Sequence, residues 1–68
     1  MVQRVTEVVG SDSESFANAV QNAVTTASKT LRGLKWFRVS ELEGSIEGDK
    51  VSEFRALVRI YFDYEVKP

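Results

Sequence analysis

The chain has no cysteine and no histidine, and only one of its 68 residues is proline. Disulfide bonds are therefore excluded. The common zinc sites and the nucleophile–base pairs of most hydrolases are excluded as well, because they need one or both of these residues. The four glycines stand singly, so no glycine-rich loop could cradle a phosphate group. These absences argue against a metal centre and against an enzyme.

Strong net charge and long apolar runs are also missing. A formal net charge of -1 gives no electrostatic attraction to nucleic acid or to an anionic membrane. No apolar run approaches the ~20 residues of a membrane span, and the N-terminal residues do not resemble a signal peptide. We therefore expect one cytoplasmic domain over residues 1–68. Because so short a chain buries a modest fraction of its surface, self-association is the remaining aid to stability.

Residues 15–32 have the spacing of an amphipathic helix, since apolar side chains recur at steps of three and four. The stripe contains Phe16, Val20, Ala23, Val24, Ala27 and Leu31, with Ala17 and Ala19 beside its start. Ser11 and Glu14 have capping-box spacing, and Ser13 is an alternative N-cap. Gly33 suits the left-handed C′ position that ends a helix. The small residues of the stripe predict close packing on a sheet.

Three segments have the composition of β-strands: residues 1–9, 34–46 and 50–66. The first stops at Gly10, and the other two are joined by a polar turn at residues 47–49. In the third, the even positions are apolar: Phe54, Ala56, Val58, Ile60, Phe62 and Tyr64. The order β-α-β-β predicts an α+β fold in which a three-stranded antiparallel sheet wraps around one helix. One sheet face and the sheet edges remain open, which again favours self-assembly.

Trp36 and Phe37 are adjacent in the second strand, so they face opposite sides of the sheet. If Phe37 covers the helix, Trp36 lies on the helix-free face, which it shares with Arg38, Arg55 and Arg59. An aromatic plane and guanidinium groups could hold a flat heteroaromatic ligand. Alternatively, the tryptophan could pack on a neighbouring subunit. The residues by themselves leave both readings open and favour the subunit contact.

Residues 29–37, KTLRGLKWF, resemble the A-x-K-T-L-R-x-L-x-W-F core of the dodecins, and the likeness continues in residues 46–54, IEGDKVSEF. The resemblance covers essentially the whole chain. It implies a hollow homododecamer that binds riboflavin or FMN as stacked pairs between symmetry-related tryptophans. The implied role is flavin storage, buffering and protection from light without turnover, because an indole stacked on a flavin quenches the excited state of the ring.

Carried over residue by residue, the resemblance implies four flavin-binding positions. Trp36 matches the stacking tryptophan of the family. Arg55 stands where many members have a glutamine that hydrogen-bonds the edge of the flavin ring. Lys35 and Glu41 fall beside the ligand.

Several residues depart from the family pattern. Arg55 can donate to flavin carbonyls but cannot accept from the ring N–H. Glu43 replaces an arginine that helps to hold the FMN phosphate in many bacterial members, which lowers the expected phosphate affinity unless Arg38 or Arg55 takes over. Tyr61 replaces a glycine, and Asp63 replaces an arginine that touches coenzyme A in some members, so coenzyme A binding would be weak.

The alternative hypothesis is a structural shell of the same fold that has lost flavin binding. A flavoenzyme comes third, because no substrate-side acid or base is identifiable.

Overall fold

The computed structural model describes residues 2–63 and, within them, one helix and three strands. Strand β1 spans Gln3–Asp12, helix α1 spans Phe16–Ser28, β2 spans Leu34–Glu47 and β3 spans Lys50–Asp63. Both strand pairings are antiparallel and the sheet order is β1-β3-β2, so β3 lies in the middle. The predicted α+β fold with β-α-β-β order is confirmed. The predicted core position Tyr64 and the predicted end of the third strand lie outside the described residues.

The buried core lies between one stripe of α1 and alternate positions of β3. It consists of Ala19, Ala23, Ala27, Ala56, Val58 and Ile60. The helical members recur every four residues and the strand members every two, as the two periodicities predict. Ala19, expected only beside the start of the stripe, is fully buried. Phe16 is instead 36% exposed and packs edge-to-face on Phe54, with ring centroids 4.9 Å apart.

Gly10 does not end the first strand, as the sequence had suggested, because β1 continues to Asp12. A Cβ atom at Gly10 would overlap the carbonyl oxygen of Ala19 and would lie 2.8 Å from the Cβ of Ala23. The glycine therefore sits directly beneath the helix. Its missing side chain lets α1 approach the sheet to backbone distance.

The N-cap of the helix is Ser15, so both predicted N-caps, Ser11 with its capping box and Ser13, are wrong. The Ser15 Oγ accepts the N–H of Asn18 at 3.0 Å. Ser11 is unavailable because it lies in β1, paired with Arg55 of β3. The chain must leave the sheet before it can turn into a helix, which moves the helix start toward the C-terminus.

Asp12 holds the turn between β1 and α1. Its carboxylate accepts the backbone N–H groups of Glu14 at 2.8 Å and Ser15 at 3.1 Å, and the side-chain amide of Asn18 at 3.3 Å. These bonds favour the ionised form, so the pKa of Asp12 lies below its ordinary value, chiefly because of the Glu14 N–H. Asp12 thus satisfies backbone donors that the start of a helix leaves open.

The helix also ends earlier than residue 32, at Ser28 with Lys29 as its C-cap. The Ser28 hydroxyl donates to the carbonyl of Thr25 at 2.6 Å, a local bond that competes with continued helix. Gly33 has a φ of +70°, as expected from its left-handed assignment, but it lies beyond the C′ position that was predicted for it. It instead leads the chain into β2, and its carbonyl accepts the N–H of Asp63 at 3.2 Å.

The helix lies over β1 and β3 and makes little contact with β2. Apolar side chains of β2 are therefore exposed: Phe37 by 50%, Leu42 by 54% and Ile46 by 75%. The radius of gyration is 14.2 Å, compared with about 11 Å for a compact chain of this length. The isolated subunit leaves one edge of its apolar surface without a covering layer.

Candidate ligand-binding surface around Trp36

Trp36 lies in the edge strand β2, opposite Tyr61 of the central strand. Its neighbour Phe37 is opposite Ile60, which belongs to the core. The register therefore places Trp36 on the helix-free side and Phe37 on the helix side, as the alternation predicts. The tryptophan is 68% exposed. An indole with this exposure offers a broad apolar face to a ligand or to a second subunit.

A β-bulge precedes Trp36. The pairing shifts between Leu34 and Trp36, so Lys35 is the extra residue on the β2 side. Lys35, Trp36 and Phe37 line an open depression of about 280 Å³ at this edge of the sheet. Enclosed sites for small molecules are usually about 300–1,000 Å³ and bury most of their ligand. The depression in one subunit is too small and too open to enclose a ligand without a second surface.

The next position on the same face is cationic. Arg38 of β2 is directly opposite Arg59 of β3, and Arg59 is opposite Glu7 of β1. The Arg59 Nε donates to the Glu7 carboxylate at 3.1 Å. This hydrogen bond and the carboxylate charge raise the pKa of Arg59 further above its ordinary value. The row thus holds two guanidinium groups and one carboxylate.

The structure brings together only part of the predicted set. Lys35 adjoins Trp36, but Glu41 is opposite Leu57 and Arg55 is opposite Glu43. From the position opposite Trp36, these are four and six residues along β3, or about 13 and 20 Å. Within one chain, Arg55 is therefore too far from Trp36 for both to contact one flavin ring.

Tyr61, which the sequence analysis identified only as a departure from the family pattern, is the direct neighbour of Trp36 on β3. It is half-buried and stands between Trp36 on β2 and Val5 on β1. The pairing of Tyr61 with Trp36 could have been predicted from the sequence. If the strands pair without bulges from Glu47 opposite Lys50, residue 61 comes opposite residue 36. The ion pair between Arg59 and Glu7 could not be predicted in this way, since it depends on β1 lying beside β3 in the sheet.

Two kinds of feature are not found in the described part of the chain. No group of three or more acidic, histidine or cysteine side chains is placed to hold a metal ion between residues 2 and 63. No helix in the same range is long and apolar enough to cross a membrane.

Comparison with known proteins identifies the family. The dodecin family model matches residues 2–65. The dodecin of Thermus thermophilus is 38% identical over 64 residues, covering 94% of this chain and 93% of that protein. The structure of dodecin from Streptomyces coelicolor superposes with a TM-score of 0.92 at 42% identity, over 97% of this chain and 94% of that one. Dodecin from Streptomyces davaonensis superposes with a TM-score of 0.90 at 29% sequence identity, over 96% of this chain and 96% of that one. The resemblance read from residues 29–37 is confirmed, and the chain belongs to the dodecin family.

Proposed function

We propose that this protein stores and sequesters flavin, with riboflavin or FMN stacked in pairs between the Trp36 side chains of symmetry-related subunits. The observation that carries the proposal is Trp36 itself, an indole 68% exposed on the helix-free face within a dodecin fold. Stacking on an electron-rich indole holds a flat heteroaromatic ring and quenches its light-excited state. Storage of this kind would buffer free flavin in the cytoplasm and limit its photochemistry.

The second half of the site would come from another subunit. The depression beside Trp36 is open, and β2 exposes apolar side chains that α1 does not cover. A two-fold axis next to Trp36 would place two indoles face to face and close the depression from both sides. Apolar surface on β2 supports the same conclusion, since its burial would stabilise a short chain. We propose the hollow homododecamer of the family as the assembly that provides this axis.

Arg55, Lys35 and Glu41 have different parts in this proposal. Because Arg55 lies about 20 Å along the sheet from Trp36, it would reach a flavin ring stacked on Trp36 only across a subunit boundary. Its guanidinium would donate to flavin carbonyls, which are acceptors. Lys35 adjoins the ring position directly, and Glu41 would contact the ligand only from a neighbouring subunit. Coenzyme A would bind weakly, because Asp63 presents a negative charge where its phosphates would need a cation.

Titration of riboflavin and FMN with the purified assembly, followed by flavin fluorescence, tests the proposal. We expect strong quenching at saturation, and Trp36→Leu should abolish it while circular dichroism and light scattering show an unchanged fold and mass. Phe16→Leu is the matched control, since it also replaces a partly exposed aromatic ring but lies on the helix. Unquenched flavin emission at saturating wild-type protein would overturn the proposal.

A structural shell without flavin is the second candidate function, and Tyr61 favours it. A tyrosine directly opposite Trp36 occupies space beside the stacking face that the glycine of the family would leave open. This hypothesis predicts the same large assembly, colourless as isolated and indifferent to both flavins. Sustained electron transfer above that of free flavin, with an added reductant and acceptor, would instead indicate a flavoenzyme, which we do not expect.

A further inference from the structure

The cationic row beside Trp36 points to the kind of flavin that this protein selects. Arg38 follows Trp36 by two residues on the same strand, so their side chains leave the same face about 7 Å apart. Arg38 is exposed, and no ion pair or hydrogen bond of its side chain occurs within residues 2–63. Among the described residues it is therefore a cation without a carboxylate partner, two positions along β2 from the proposed stacking residue.

Arg59 makes the charge at this position stronger. Like charges directly opposite on neighbouring strands destabilise a sheet, and Arg38 faces Arg59 across the β2–β3 pairing. Glu7 binds Arg59 and so offsets only one of the two charges. Glu41, the next carboxylate along this face of β2, forms no ion pair with Arg38. An anion bound between the two guanidinium groups would relieve their repulsion.

The other cation proposed for this site is a poorer candidate. Arg55 is directly opposite the acidic Glu43, although the two form no ion pair, and it lies about 13 Å along β3 from Arg59. Glu43 is itself acidic and would repel a phosphate. The positive potential next to Trp36 therefore comes from Arg38 and Arg59, with Lys35 at the bulge on the other side of the indole.

We propose that Arg38, with Arg59, binds the phosphate of a phosphorylated flavin whose ring stacks on Trp36, so that the protein prefers FMN to riboflavin. The inference rests on the proposed flavin-binding function. Two donors on a planar guanidinium match the oxygens of a phosphate, and the ribityl chain separates that phosphate from the ring. Riboflavin has the same ring and the same chain without the charge, so it isolates the contribution of the phosphate.

Parallel fluorescence titrations with FMN and riboflavin, on the intact assembly, test the proposal. Arg38→Gln should weaken FMN binding about tenfold, the effect of losing one charge-assisted contact, and should leave riboflavin binding unchanged. Arg38→Lys should retain most of the FMN preference, because it keeps the charge. Glu7→Gln should strengthen FMN binding by freeing Arg59. Lys50→Gln is the matched control, because it removes an exposed cation opposite Glu47 at the far end of the hairpin.

Loss of the phosphate site and loss of flavin storage would give different titration results. Added inorganic phosphate or high salt should weaken FMN binding and spare riboflavin, since free anions compete for and screen the guanidinium groups. If both flavins bind equally and Arg38→Gln changes neither affinity, the phosphate site is refuted while flavin storage stands. If Arg38→Gln weakens both flavins equally, Arg38 supports the ring or the assembly and the phosphate site is again refuted. If neither flavin is quenched by the wild type, both proposals fall.

Discussion

Replacing Gly10 with alanine tests the contact between α1 and the sheet. Gly10 has no positive φ, so the added methyl group meets no backbone strain. Away from the helix, such a substitution would stabilise the fold by about 0.4–1 kcal/mol, because it restricts the unfolded chain. In this structure the new Cβ would overlap the Ala19 carbonyl oxygen and lie 2.8 Å from both the backbone nitrogen and the Cβ of Ala23. This steric overlap destabilises the folded state, whereas the restriction of the unfolded chain would stabilise it.

The expected size of the effect follows from what would have to move. Overpacking costs about 1–3 kcal/mol when side chains can adjust, but two of the atoms that obstruct the Gly10 methyl group belong to the helix backbone. We expect a loss of about 3 kcal/mol or more, since α1 must shift away from β1 and β3. For a domain of this size, that loss lowers the melting temperature by about 12–24 °C. It is a large share of a total stability of about 3–10 kcal/mol.

The assay is thermal and urea unfolding followed by far-ultraviolet circular dichroism, at matched protein concentration because assembly also contributes to stability. Gly48→Ala is the control: its φ is +67° but no atom lies within 4 Å of the added Cβ, so only a backbone cost of about 1–2 kcal/mol is expected. Adding Ala23→Gly to Gly10→Ala should not restore stability, because the Ala19 carbonyl remains in the way. A Gly10→Ala protein as stable as the wild type would refute the close packing of α1 on β1.

Three further predictions concern the turn, the core and the exposed strand. Asp12→Ala should lower stability at neutral pH. The Asp12 carboxylate stabilises the fold fully above its ordinary pKa of 3.8, and this contribution is lost as the pH falls below 3.8 through the lowered pKa of the folded state. In urea unfolding, the difference in stability between Asp12→Ala and the wild type should therefore disappear in acid and persist in base. Ile60→Val should cost about 1 kcal/mol by the same assay, because the removed methylene is fully buried; an unchanged midpoint would contradict its core position. Leu42→Lys and Ile46→Lys should reduce the mass measured by light scattering while helix content is kept, and an unaltered mass would show that β2 is not covered by another subunit.

The order of the elements and the faces of β3 could be read from the sequence. Alternation over Phe54, Ala56, Val58 and Ile60 predicts a core face, and the helical stripe predicts the surface that packs on it. These patterns are reliable because side-chain direction repeats every two residues in a strand and every 3.6 in a helix, independent of distant contacts. The position of Trp36 opposite the core face follows from the same rule.

Element boundaries were predicted less well, and each error has a tertiary cause. Gly10 looked like the end of a strand because glycine often marks a turn, but it is needed where α1 crosses β1. The caps at Ser11 and Ser13 were displaced to Ser15 because β1 keeps pairing with β3 as far as Asp12. Helix signals are local, whereas the last residue of a strand is decided by its partner.

In the candidate site, the family and the central aromatic could be read directly from residues 29–37, because they form one continuous segment. The fold was needed to place the charged side chains near Trp36, because their positions depend on strand order and on a bulge. The shifts at Ser45/Ile46 and Val39/Glu41 cancel, so Tyr61 lies opposite the indole as simple hairpin register predicts. The bulge at Lys35 and the strand order of the sheet, β1-β3-β2, carry no such local signal, and the sheet order sets Arg59 between Arg38 and Glu7. Arg55 shares that face but lies about 20 Å from Trp36. The alternation of side chains along a strand predicts which face of the sheet a residue occupies. Its neighbours on that face depend on how the strands pair, so they were harder to predict.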